Sequence, residues 1–322
     1  MKLGRDYTNC LVFDHLSDGE KKAFERGEID LGSMNALALE KAKLDVRKQI
    51  DVTLDLGLEH IELDADSPNP YLRLDEKQRN EIRKMAEDSG VSLSLHLPYS
   101  YVGGSICSLQ GTDRRIAVDL CKECMQFAAD IGAKFVNVHP GSAPFYQRYG
   151  RYLEQLRASL FKSLLDLSKF AKDLGLCLLL ENNTAFDGIF SEIEDCLSII
   201  AELWEKNAEI YFNFDIGHWF TRADIGQQIP DPPESIMEQI PPDYIKELHL
   251  NDYVPVEKMF HPPLQLELGL LKFGNLQRYA RIVKKKRAEV IVLETSLKSI
   301  EQILHWKEFL KRETEFVKQI FE

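Results

Sequence analysis

Short apolar runs recur along this chain, and most stop at a histidine, an aspartate or a glutamate. Ile210–Phe220 sets the pattern: I-Y-F-N-F-D-I-G-H-W-F is an apolar, aromatic-rich stretch running into Asp215 and His218, with Gly217 between them. Such runs have the composition of buried strands. Leu93–His96, Phe135–His139, Leu176–Glu181, Ile245–His249 and Val290–Glu294 repeat the design. Strands are predicted at Tyr7–Phe13, Glu59–Asp64, Val91–His96, Ala133–His139, Leu176–Glu181, Glu209–Asp215, Tyr244–His249 and Glu289–Glu294.

Between them the apolar period lengthens to that of amphipathic helices. Helices are predicted at Asn35–Leu56, Glu76–Asp88, Asp113–Ile131, Tyr149–Leu174, Glu192–Trp204, Thr221–Gln239 (broken around Pro230, Pro232 and Pro233), Phe273–Lys284 and Leu297–Phe321. Gly57, Gly90, Gly132 and Gly175 mark helix ends. Residues 14–35 form an irregular polar loop or flap with room for a short helix. Tyr253–Leu270 is a long, proline-marked loop. Strict alternation of strand and helix implies a parallel sheet, and eight units can close it. The expected fold is α/β, a (β/α)8 TIM barrel formed as a single domain by residues 1–322. In such barrels the loops after the strands build the active site, and the candidate residues fall at strand ends on that side.

Composition narrows the function classes. Of 322 residues, 44% are hydrophobic, enough for a large core. No apolar run reaches the length of a membrane span, and the N-terminus lacks the apolar core of a signal peptide. The expected setting is cytoplasmic. A net charge of −12 weighs against nucleic acid as a partner. The six cysteines show no disulfide framework, and Cys121 and Cys124 read as small residues of a helix. Homo-oligomerisation is left open by the sequence.

The candidate chemistry follows from residue type. Glu181, Asp215, His249 and Glu294 end four consecutive strands, which are neighbours around a ring. Three carboxylates converging in one cavity repel each other unless a cation lies among them. One imidazole with three carboxylates suits Mn, Mg, Co or Zn as divalent ions. His96, His139, His218 and His261 surround this set, fit for further metals or for a hydroxyl-rich substrate. Phe145–Tyr152 interleaves aromatics with arginines just after the fourth strand, as a ligand platform or as an ordinary loop or subunit contact. The Lys284–Arg287 run precedes the last strand and reads as solvated surface at the opposite end.

Taken in order, Ser94–Tyr99, Val138–Gly141, Leu180–Asn183, Asp215–His218, His249–Asp252 and Leu293–Thr295 resemble the motifs of the xylose isomerase-like barrel superfamily over residues 36–320. That group holds sugar isomerases and epimerases, inositol-catabolism enzymes and the endonuclease IV type of repair nuclease. Resemblance to the ketose 3-epimerase branch implies one metal on Glu181, Asp215, His249 and Glu294, with Glu181 and Glu294 also moving the substrate proton. It implies a small-molecule sugar substrate contacted by His96, His139, His218, Asp187 and His261. Two positions depart from that branch: Pro255 stands where an arginine grips substrate, and Asp187 where a glutamate is usual. Resemblance to the endonuclease IV branch implies three zincs, with His96, His139, Glu181, Asp215, His218, His249, His261 and Glu294 matching eight ligands. Met259 stands where the ninth, an aspartate, is expected, and a thioether is a poor zinc ligand beside hard oxygens. The first expectation is therefore a metal-dependent sugar isomerase or epimerase. The alternatives are an abasic-site phosphodiesterase and a noncatalytic barrel.

Overall fold

In the computed structural model, which describes residues 1–321, eight parallel strands close into a barrel in the order β1-β10-β7-β6-β5-β4-β3-β2. They are β1 (Lys2–Asp6), β2 (His60–Asp64), β3 (Ser92–His96), β4 (Phe135–Val138), β5 (Cys177–Glu181), β6 (Ile210–Asp215), β7 (Ile245–Leu250) and β10 (Val290–Leu293). Two short arms, β8 (Tyr253–Val254) and β9 (Met259–Phe260), pair antiparallel outside the barrel. No helix among the described residues is long and apolar enough to cross a membrane.

The first strand is not where the apolar run predicts it. Tyr7–Phe13 turns into a 3-10 segment, and the strand is the charged K-L-G-R-D before it. Alternation explains this. Gly4 faces inward because His60 fills the space beside it; a Cβ there would lie 2.6 Å from the Cβ of His60. Arg5 faces outward and donates to Glu313 at 2.8 Å, both fully buried under the last helix. Glu313 also accepts from the Thr295 hydroxyl at 2.6 Å and from Leu264 N at 2.7 Å. One carboxylate thus joins the first strand, the end of the last strand, the loop after β7 and the C-terminal helix Trp306–Phe321.

Other differences have local causes. The predicted Asn35–Leu56 helix is two helices, Leu31–Leu44 and Val46–Asp55, because the Asp45 side chain caps the second by accepting from Lys48 N at 3.1 Å. The irregular 14–35 region contains the helix Asp18–Glu25, started by a Ser17–Glu20 capping box. Thr221–Gln239 is not a helix: one short turn, Ile216–Phe220, is followed by 3-10 segments among the prolines. The C-terminal helix is preceded by a separate turn, Ile300–Leu304.

Inward-facing side chains change character along the barrel axis. Phe135, Leu179, Val290 and Val292 form an apolar plug near the N-terminal ends. Interleaved with it are His60, Asn137, Asn213 and Glu247, all fully buried, with Asn137 in register with Leu179 and Glu247 with Val290. The strand ends above them carry the candidate site.

Candidate functional site

The Glu181 carboxylate, fully buried at the end of β5, has four imidazoles around it. His218 Nδ1 lies at 3.1 Å, His96 Nε2 and His249 Nδ1 at 3.4 Å, and His139 Nε2 at 3.5 Å. Asparagines of the neighbouring strands set its orientation: Asn137 and Asn213 both donate to Oε2. On the other side His249 Nδ1 is 3.1 Å from Glu294 Oε1 and 3.8 Å from Asp215 Oδ2. Asn251 bridges these carboxylates, donating to Asp215 Oδ2 at 2.7 Å and Glu294 Oε2 at 2.8 Å.

Asp215 ends β6 and starts the next turn by accepting from His218 N at 2.6 Å, which brings His218 over Glu181. Gly217 permits the close packing of that turn; a Cβ there would fall 1.8 Å from Asn251 Oδ1. His261 reaches the site through the β8–β9 hairpin, so the predicted loop has internal structure. Its N–H donates to Asp252 O at 2.9 Å, its carbonyl accepts from Ser296 N at 2.8 Å, and its Nδ1 is 3.9 Å from Glu294 Oε2.

Burial and charge compete at every group. Burial drives His139 and His261 down to about 4. Burial opposes protonation of His96 and His218 too, but Glu181 raises His96 to about 10, and Asp215 with Glu181 raises His218 to about 9. Burial lifts Asp215 to about 7. For Glu181 and Glu294 the burial effect is outweighed by His249 and further imidazoles, and both carboxyls lie well below the usual range.

The donor set fits a divalent cation. Ligand atoms of Glu181, Asp215 and His249 lie within 4.8 Å of one another, as do those of Glu62, His249 and Glu294. Glu181 Oε1 and His249 Nδ1 are buried without a hydrogen-bond partner among the described residues. Carboxylate and imidazole donors without thiolate match the hard-to-borderline ions expected from the sequence. Further groups, His96–His139–Glu181 and Asp215–His218–His261, also meet within 4.8 Å.

A cavity of about 430 Å³ opens onto these residues, lined by His96, His139, Asp187, His218, His261 and Glu294. Asp187 is partly committed, accepting from Thr184 N at 3.0 Å and Thr184 Oγ1 at 2.7 Å. Phe145, Tyr146 and Tyr149 are exposed and do not line the cavity. Arg148 braces the loop by donating to the Ala143 and Phe186 carbonyls.

Sequence reasoning missed Glu62, whose Oε1 is 3.0 Å from His249 Nε2, on the far side of the ring from the nitrogen facing the carboxylates. Burial pushes Glu62 up to about 8. Asp6, Lys43, Asp64 and Tyr99, which line the opposite wall, were missed as well. The available signal was the alternation His60-x-Glu62-x-Asp64, which puts three polar side chains on the inward face of β2.

The model of the family described as xylose isomerase-like TIM barrel matches residues 50–320. The chain belongs to this family. An uncharacterised protein of Methanocaldococcus jannaschii is 24% identical to this family member over 220 residues, 68% of this chain and 76% of its own length. Among solved structures, a D-psicose 3-epimerase determined in the presence of D-fructose superposes with a TM-score of 0.68 at 13% identity, covering 100% of this chain and 99% of its own. A xylose isomerase-like TIM barrel protein of Mycobacterium smegmatis in complex with magnesium gives 0.57 at 16% identity over 88% and 89% of the two chains. At these identities the likeness is one of fold.

Proposed function

We propose that the protein is a divalent-metal-dependent isomerase or epimerase of a sugar-like hydroxyketone or hydroxyaldehyde. The observation that carries this reading is the convergence of Glu181, Asp215 and Glu294 on His249 Nδ1, at 3.4, 3.8 and 3.1 Å. The fold shared with a D-psicose 3-epimerase and with a magnesium-bound family member supports it. Glu181, Asp215, His249 and Glu294 would hold the ion. A bound divalent cation supplies Lewis acidity to the substrate oxygens.

The side chains do the rest. Glu181 and Glu294 face the reacting carbon from the β5 and β10 sides. One takes the carbon-bound proton and the other returns it, through an enediolate. Return to the same carbon from the opposite face gives an epimer; return to the neighbouring carbon gives an aldose–ketose isomer. Asn137 and Asn213 hold Glu181 Oε2, leaving Oε1 without a partner among the described residues. Asn251 holds Glu294 Oε2. Such fixed orientation contributes by positioning, since a carboxylate beside a cation is a weak base. His218, 3.1 Å from Glu181, is placed to donate to a substrate oxygen.

The test is solvent exchange. Metal-loaded protein incubated with a panel of ketoses in deuterated water exchanges the hydrogen on the reacting carbon, read by NMR. Glu294→Gln lowers that exchange by roughly 10²–10⁴-fold. Full exchange in the variant, or none by the wild type with any ketose, overturns the reading.

A phosphodiesterase is favoured by one observation, the additional donor groups around His139 and around His261. Met259 lies in β9 where that chemistry needs an aspartate. A zinc count of one against three, with a cleavage assay on abasic-site duplex, separates the readings.

A further inference from the structure

The family match begins at residue 50, yet one wall of the cavity comes from before it. Asp6 and Thr8 extend from β1, and Leu39 and Lys43 come from the helix Leu31–Leu44. Lys43 is only 2% exposed. Its ammonium pairs with Asp64 Oδ2 at 3.0 Å and donates to the Asp66 carbonyl at 2.8 Å. Asp6 accepts from Thr8 N and Oγ1 at 2.9 and 2.7 Å through one oxygen, Oδ1. Toward the candidate metal ligands stands Glu62, 1% exposed, lining the cavity with Oε2 unpartnered among the described residues.

This wall disfavours an anion. Asp6, Asp64 and Asp66 repel a phosphate or carboxylate, and the one lysine in the cavity lining is already ion-paired. A hydroxyl both donates and accepts, so it alone can satisfy carboxylate oxygens and an ammonium N–H side by side.

We infer that the segment before residue 50, through Asp6 and Lys43, joins Asp64 in a specificity wall that holds the far end of the substrate, and that this end is hydroxylated and bears no anionic group. The substrate class is then a free keto- or aldo-sugar and not its phosphate ester. This rests on the proposed isomerase reading for the identity of the reacting end, but its test is a binding measurement that needs no turnover.

Calorimetric titration of the manganese-loaded full chain with D-fructose, D-tagatose and their 6-phosphates provides it. The free sugars bind, and the 6-phosphates bind weaker by roughly 30-fold or more, given the cost of placing like charges together in an occluded site. Asp6→Asn removes a repelling carboxylate and narrows that gap by about threefold or more, whereas Lys43→Met removes the ammonium of this wall and widens it. Melting curves and manganese content confine the comparison to variants that fold and load. Should Lys43→Met fail to fold, Asp6→Asn decides alone. Equal or tighter binding of the phosphates, an unchanged gap in Asp6→Asn, or no binding of either free sugar overturns the inference. Binding of the free sugars without solvent exchange overturns the isomerase reading and leaves this one standing.

Discussion

Strands β5, β6, β7 and β10 end in side chains crowded onto one nitrogen, His249 Nδ1. Strands β1 and β2 end in side chains that pair with their own neighbours: Asp6 with Thr8, and Asp64 with Lys43. The first side gathers carboxylates and imidazoles as the proposed cation site requires. The second is closer to balanced and presents polar groups to whatever enters. A barrel can therefore separate reaction from selection by sector. On the proposed reading, four adjacent strands carry the chemistry, while β1 and β2, with a helix from outside the family match, shape what is admitted.

The largest effect expected from disturbing this division lies outside both sectors. Arg5→Met leaves the fully buried Glu313 without its cation, and removing one partner of a buried pair costs about 3–5 kcal/mol. Urea denaturation measures it; a loss below about 1 kcal/mol contradicts the role given to this pair. Next come substitutions in the metal sector. Gly217→Ala forces its Cβ against Asn251 Oδ1 and displaces the amide bridging Asp215 and Glu294. Manganese affinity, read by competition with a chelator, is expected to drop by about 10–100-fold, as for groups that orient metal ligands. Glu62→Gln lies at the low end of that range, near ~10-fold, because the change preserves shape and replaces only the carboxyl oxygen facing His249 Nε2. Undiminished affinity in both variants would mean that the surrounding groups do not position the ligands. The smallest effect belongs to the far wall: Asp6→Asn should change manganese affinity by no more than about threefold while altering sugar binding, since Asp6 bonds to Thr8 and reaches the candidate ligands only through its charge interaction with Glu294. A parallel loss of metal would erase the distinction between the sectors.

The convergence of the proposed metal ligands was largely legible in the sequence. Each of its residues ends an apolar run, and a change from apolar to His, Asp or Glu at a strand's C-terminal end is a local signal. The barrel followed from the same runs. The selecting wall was not legible for two physical reasons. Its strand, Lys2–Asp6, carries Lys2, Arg5 and Asp6, so alternation between barrel interior and helix-covered exterior looks like a polar segment. Its lysine lies in the last turn of a helix, where Lys43 reads as solvent-facing until Asp64 is seen beside it. The break at Asp45 was hidden likewise, because a mid-helix aspartate and an N-cap are the same letter. His261 was legible with His96, His139 and His218 as one of the histidines surrounding the four strand-end residues. The hairpin that carries it, with His261 at a φ of 53°, depends on pairing between residues that show no strand pattern of their own.

The Glu313 junction has a bearing on how this chain tolerates being shortened or fused. Its Oε1 anchors Leu264 N, three residues after His261, so the last helix acts as a buttress for a loop that leans over the cavity. Trimming the tail back past Glu313 would loosen His261 and the first strand together, even though the deleted residues approach no substrate. Tags and truncations at the carboxyl end should accordingly be judged by ligand binding as well as by yield.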